Sequence, residues 1–403
     1  MSLFDVRARP GGEEEKKQEK QGVPPGVEHP KSDSVQALEP PFLSACRRRP
    51  VPHTPVWIMR QAGRYLPEYR AVREKVGFLA LTKTPELAAE VTLQPIRRFE
   101  MDAAILFSDI MTPVEGMGIR LDFDPGPVLE NPVRTPADVE GLRVADPHET
   151  VPFVMETIRI LRGELPPSAP LIGFAGAPWT LFCYMVEGKG SKTFIRAKSF
   201  LFAESEASRV LLGKLADTMT AYLRAQAEAG AQALMLFDSW AGLLSPHEFR
   251  AFALPAVQRT LGGLEDLDVP LIYFPNNGST LLDEARTSGA HVIGIDWRTP
   301  LSRARGILGP ELAVQGNLDP AALFAPREAL GGQIRRVLEE AGDGPGHIFN
   351  LGHGIERQTD PDAVAYLVDR VHEWTEGRCG SVASVAPGVA QAGDARIGEE
   401  TEG

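Results

Sequence analysis

The chain has 403 residues, 43% of them apolar, which is enough for one large core or two ordinary ones. Its formal net charge of −12 argues against a nucleic-acid partner, which requires a broad basic face, and leaves a small anion held by a local arginine cluster as the compatible ligand. No apolar run reaches the roughly eighteen residues of a membrane span and no charged-then-apolar leader opens the chain, so a soluble cytoplasmic protein is expected.

Residues 1–38, with GGEEEKKQEKQG and VPPG, carry mixed charge, Gly and Pro but few large apolar side chains. Such a segment buries too little surface to offset its ordering entropy and is expected to be a disordered tail. It is rich in Glu and Lys, unlike an Arg- and Ser-rich transit peptide, which favours the cytoplasm over a plastid. Residues 378–403 lose their large side chains again and are expected to be a second disordered tail. The folded catalytic domain is therefore expected over 39–377. The three cysteines, Cys46, Cys183 and Cys379, lie far apart with no CxxC spacing, so they offer neither a disulfide framework nor a zinc site.

Between the tails eight short apolar runs follow one another: 56–59 (VWIM), 103–107 (AAILF), 171–175 (LIGFA), 233–237 (ALMLF), 270–274 (PLIYF), 291–295 (HVIGI), 312–316 (LAVQG) and 347–351 (HIFNL). They have strand length and the composition of strands covered on both faces. Helical periodicity separates them. Val364, Leu367, Val368, Val371 and Trp374 form one stripe, and Val210, Leu211, Leu215, Met219, Tyr222 and Leu223 form another between 204 and 229. The stretch 120–134 (RLDFDPGPVLENPVR) interrupts the alternation as an inserted hairpin or loop. Eight strand–helix units are the number that closes a (β/α)8 TIM barrel, the expected fold. The rival, an open doubly wound sheet, usually announces a nucleotide by GxGxxG after its first strand, where this chain has RQAGR.

Chemistry in such a barrel sits at the carboxyl ends of the strands. The first run delivers Arg60, Gln61 and Arg64, with Arg70 and Arg73 beyond; the second delivers Ser108 and Asp109; the third leads through GAPWT to Tyr184. The fourth delivers Asp238 and Ser239, and the eighth His353 between two glycines. Arginine's planar fork suits carboxylates, while the bland alternative is a salt bridge at the rim. Asp109 is a candidate buried carboxylate that stabilises developing positive charge, or else a helix cap. Tyr184 is a ligand-orienting hydroxyl or a packed tyrosine, and His353 a cleft residue or a loop histidine bonded to backbone. Ser239 lacks a GxSxG elbow and is a hydrogen-bond donor or a cap. A polycarboxylate substrate fits this set, with no sign of a metal or nucleotide cofactor.

The segments PVWIMRQAGRYLPEYR, LFSDIMTPVEGMG, GFAGAPWTLFCYMVEG, GAQALMLFDSWAG, QGNLDP and NLGHGI resemble, in order and spacing, the signature segments of the uroporphyrinogen decarboxylase family over about residues 40–376. The resemblance implies a (β/α)8 barrel, a homodimer, and cofactor-independent loss of four acetate carboxyl groups from uroporphyrinogen III, giving coproporphyrinogen III for heme and chlorophyll. It implies substrate binding by Arg60, Gln61, Arg64, Arg73, Asp109, Tyr184, Ser239 and His353. Asp109, Arg60, Tyr184 and His353 are the implied catalytic residues. Methyltransferases on the same barrel hold zinc with a His-x-Cys pair, where this chain has Pro275, Asn276 and Asn277 after its fifth run.

Overall fold

The computed structural model describes residues 39–123 and 126–377. Both expected tails, 1–38 and 378–403, and with them Cys379, lie outside the described residues. The strands in chain order are β1 (Ala104–Ile105), β2 (Leu121–Phe123), β3 (Pro127–Leu129), β4 (Leu171–Gly176), β5 (Ala233–Asp238), β6 (Leu271–Pro275), β7 (Val292–Gly294), β8 (Ala313–Gln315) and β9 (His347–Ile348). Seven of them form one sheet in the order β1-β4-β5-β6-β7-β8-β9, and every neighbouring pair is parallel. Helices supply each crossover, because parallel neighbours cannot be joined by a tight turn. All residues of β4, β5 and β6 are buried, which is why these runs read as continuously apolar instead of alternating.

The seven strands make a half-barrel, and the first apolar run does not become a strand. Val56 forms a single parallel bridge with Phe349. The Phe349 N–H donates to Pro55 O at 2.8 Å, the Trp57 N–H to Phe349 O at 3.3 Å, and the Asp102 N–H to Val56 O at 2.9 Å. A longer ladder is prevented by the sequence. Pro55 has no N–H to give, and side chains take the next donors: Val56 N–H binds Asp102 Oδ2 at 2.7 Å, Ile58 N–H binds Gln61 Oε1 at 3.0 Å, and Met59 N–H binds Asn350 Oδ1 at 3.1 Å.

The interruption at 120–134 is a hairpin, with Leu121 opposite Leu129 and Phe123 opposite Pro127. It leans on the end of the helix Pro178–Glu187, where the Leu129 N–H donates to Gly188 O at 2.8 Å. That helix opens on Pro178 and stops at Gly188, whose φ of 89° is the left-handed conformation that favours glycine at a helix end. Both periodic stretches are helices, Ser205–Ala229 and Pro361–Thr375. One stripe residue departs from expectation: Val210 is exposed, because the buried face of its helix runs through Leu211, Leu215, Met219 and Tyr222. Cys46 and Cys183 are buried free thiols whose ionisation burial opposes. Among the described residues no helix is long and apolar enough to cross a membrane.

Candidate active site

The carboxyl ends of the strands form one mouth. Arg60 stands where the 55–59 segment ends, exposed, with a φ of 67° and no ion pair among the described residues. Two glycines flank His353 and set its surroundings. A Cβ on Gly354 would come 2.5 Å from Arg60 Cδ, and one on Gly352 would come 2.3 Å from the backbone nitrogen of Trp297, so only glycine allows these approaches. Burial, with Arg60 and Arg298 adding positive charge, pushes the His353 imidazole down to about 4. It is neutral near pH 7 and able to donate or accept a hydrogen bond.

Asp109 follows β1. Burial pushes its carboxyl up to about 6 against the lowering effects of the Met111 N–H, which donates to Oδ1 at 2.8 Å, and of Arg60. The Met111 N–H bond closes a local turn two residues on, just before the 3-10 turn Thr112–Met117. Beneath it the buried Tyr222 hydroxyl faces Ser108 Oγ, its ionisation opposed by burial.

Tyr184 projects from the helix after β4, its ring edge-on to Phe194 at 5.7 Å and to Trp240 at 6.2 Å. Burial raises its hydroxyl, against the neighbouring Trp240 side chain, while Asp109 adds to the rise and Arg60 lowers it. Asp238, the last residue of β5, is fully buried and accepts hydrogen bonds from the Thr180 hydroxyl at 2.7 Å and the Tyr273 hydroxyl at 2.8 Å. Burial pushes its carboxyl up to about 6. After β7, Arg298 lies over the Trp297 ring at 3.8 Å and 3.6 Å from Asp296. Buried polar atoms without a protein hydrogen-bond partner at these strand ends include Trp240 Nε1, Asn276 Oδ1, Asn317 Oδ1 and Asn350 Nδ2.

Arg60, Arg64, Asp109, Tyr184, Ser239 and His353 all follow carboxyl strand ends, with Arg64 exposed and Ser239 offering its carbonyl to Asn276 Nδ2 at 3.0 Å. Gln61 is fully buried, with Oε1 accepting from Ile58 N–H and Nε2 donating to Ala103 O at 3.0 Å, and so braces the loop that carries Arg60. Arg73 is turned to its own helix corner, donating to Val76 O and lying 5.8 Å over the Phe78 ring. Arg70 clamps the carbonyls of Arg64 and Tyr65 at 2.9 and 3.0 Å. Arg298, which sequence position alone did not single out, stands in the loop after the run HVIGI, as Arg60 stands after VWIM.

A cavity of about 640 Å³ opens at the other ends of the strands, lined by Arg47, Arg48, Arg49, Asp266 and Asp268 among others. Its charges are partly mutually satisfied, as in the Arg47–Asp268 pair at 3.0 Å, and it lies away from the mouth.

A parallel α/β sheet with Arg60 and Arg298 at its carboxyl ends, near a carboxylate and a histidine, defines an enzyme-like α/β protein suited to an anionic ligand. The family model described as "Uroporphyrinogen decarboxylase (URO-D)" matches residues 38–374. The uroporphyrinogen decarboxylase of Syntrophotalea carbinolica is 56% identical over 83% of this chain and 98% of its own, and that of Geobacter metallireducens 53% over the same shares. The chain belongs to the uroporphyrinogen decarboxylase family. Among solved structures, a methyltransferase from Methanosarcina mazei superposes with a TM-score of 0.69 at 20% identity, covering 83% of this chain and 97% of that one. This second likeness concerns the fold alone.

Proposed function

We propose that the chain decarboxylates uroporphyrinogen III, removing its four acetate carboxyl groups as CO2 to give coproporphyrinogen III. The observation that carries the reading is the family match over residues 38–374, in a chain where Asp109 follows β1 and Arg60 follows the 55–59 segment, close enough for Arg60 to act on the Asp109 carboxyl.

A pyrrole acetate loses CO2 only if the electrons of the breaking C–C bond have somewhere to go. Protonation of the adjacent ring carbon makes the ring a cation and supplies that sink. The bond then breaks, CO2 leaves, and the exocyclic methylene takes a proton while the ring carbon gives its own back. One proton is consumed per CO2. Asp109 accepts the pyrrole N–H groups and stabilises the ring cation, an electrostatic role that its fixed position prepares. Arg60 pairs with the reacting acetate or the water that protonates the ring, since its own proton is too tightly held for an acid. Neutral His353 and Tyr184 orient the macrocycle. Arg64, Arg298 and the backbone around Ser239 meet the peripheral carboxylates, with Arg73 further out. The reaction written in this way uses no cofactor.

The same reading takes the 55–59 segment as the first strand of a closed (β/α)8 barrel, supported by its hydrogen bonds to both Phe349 and Asp102. It takes 39–377 as the catalytic domain, in a cytoplasmic homodimer. Ile195 and Phe202, seven residues apart on one helix face and both exposed, offer an apolar surface for the second copy. The test of the activity is anaerobic incubation with the reduced substrate, then oxidation and separation of products by carboxylate number. Species with seven to four carboxylates support it; unchanged octacarboxylate overturns it.

A further inference from the structure

At the amino ends of the strands, opposite the mouth, three side chains from distant parts of the chain converge. His53 precedes the 55–59 segment, Asp102 precedes β1, and His372 lies near the end of the helix Pro361–Thr375. His53 Nε2 is 2.8 Å from Asp102 Oδ1, and His372 Nε2 is 2.8 Å from Asp102 Oδ2. The imidazole rings are 4.2 Å apart between centroids, and the three donor atoms all lie within 4.8 Å of one another. The carboxylate is buried, whereas the histidines keep 25% and 19% of their side-chain surface open to solvent.

The charge around this cluster is negative. Asp102 forms no ion pair with a lysine or arginine among the described residues; its carboxylate meets the two histidines and, at Oδ2, the Val56 N–H at 2.7 Å. Glu100 and Glu376 add negative charge at His53. Imidazole nitrogen and carboxylate oxygen are the donors zinc takes outside thiolate sites. Ligand bonds of about 2.0–2.1 Å place tetrahedral donors about 3.4 Å apart, between the 2.8 Å and 4.8 Å separations found here.

We propose that His53, Asp102 and His372 form a binding site for a divalent transition-metal ion, zinc by donor chemistry, with both Nε2 atoms and one carboxylate oxygen as ligands and water completing the coordination. The ion ties together the segment before the first bridge, the entry to β1 and the final helix. Its place at the strands' amino ends keeps it out of the chemistry at the mouth.

The test uses the untagged full-length chain, stripped by chelator and titrated with zinc against a chromophoric chelator. Wild type is expected to bind one equivalent, and His53→Gln and His372→Gln to bind it at least tenfold more weakly, with unchanged decarboxylation in metal-free buffer. Cobalt(II) should give the strong visible band of a tetrahedral site in wild type and lose it in His53→Gln. Zinc should raise the Tm of wild type but not of that variant. If His372→Gln fails to fold, His53→Gln, altered at the more exposed ligand, carries the comparison. No stoichiometric zinc in wild type, or equal affinity in wild type and His53→Gln, overturns the site and leaves a hydrogen-bonded clasp.

Discussion

Arg60 lies across Gly354 so closely that a Cβ built on the glycine would come 2.5 Å from Arg60 Cδ and 2.9 Å from its Nε. The glycine is the wall that sets where the guanidinium points. In Gly354→Ala the clash falls on the flexible end of a side chain, so the fold should hold while Arg60 is displaced. A displacement of about 1 Å can cost on the order of 100-fold in rate, and kcat/KM is expected to fall by about 10- to 100-fold with Tm nearly unchanged. Gly352→Ala meets the Trp297 backbone instead, and its loss should appear in Tm. Steady-state kinetics and melting curves separate the two, and wild-type kinetics in Gly354→Ala would remove Arg60 from the chemistry.

Arg60 has a φ of 67°, in the left-handed region that costs a residue with a side chain about 1–2 kcal/mol. Removing the guanidinium should abolish turnover whatever replaces it. Arg60→Gly is nonetheless expected to be more stable than Arg60→Ala by about 1 kcal/mol, measured by denaturant titration. Equal stability would mean that the strained backbone relaxes in the variants.

The buried Asp109 carboxyl gives a pH-dependent signature. Its value of about 6 lies above the ordinary 3.8, so between those pH values the folded protein holds a proton that the unfolded chain has lost. Stability from this group is therefore highest at low pH and falls as pH rises through that window, by up to about 3 kcal/mol. Asp109→Asn keeps an oxygen for the Met111 N–H and removes the charge. The variant is expected to be inactive yet to melt above wild type at pH 7.5, with the gap closing towards pH 4. A variant that melts below wild type at pH 7.5 would show that the charge is compensated in the folded state.

These residues also show how far sequence reaches. Seven of the eight apolar runs are strands because length and composition alone mark a strand covered on both faces. The run at 56–59 is reduced to a bridge by Pro55 and by side-chain acceptors on Asp102, Gln61 and Asn350, partners that no local pattern reveals. The rule that chemistry follows strand ends singles out Arg60, Asp109 and His353, but it cannot say which way a polar side chain turns. Gln61 turns back to the Ala103 carbonyl, while Arg298, unremarked in its loop, joins the mouth. The cluster of His53, Asp102 and His372 carries no local signal because its members lie 49 and 270 residues apart.

Arg298 separates substrate binding from histidine electrostatics. It helps burial and Arg60 push His353 down to about 4, and it is exposed at the mouth. Arg298→Ala should raise KM for the octacarboxylate by about tenfold, the equivalent of one lost charge-assisted hydrogen bond, while changing kcat less. The His353 titration, followed by NMR of the ring protons, should move upward. A lowered kcat at constant KM would instead place Arg298 at the reacting acetate.

The apolar pair Ile195 and Phe202 bears on assembly. Their side chains are 64% and 57% exposed, a liability that a second copy of the chain would cover. A two-fold interface uses each residue twice, so Phe202→Glu would remove two buried rings at about 1.5–3 kcal/mol each, before any cost of burying the new carboxylate. The dimer dissociation constant is then expected to rise by about two to four orders of magnitude, and sedimentation at micromolar concentration should show monomer. The mouth is built from strand ends within one chain, so the monomer should keep measurable decarboxylation. A Phe202→Glu variant that sediments as wild type would place the interface elsewhere.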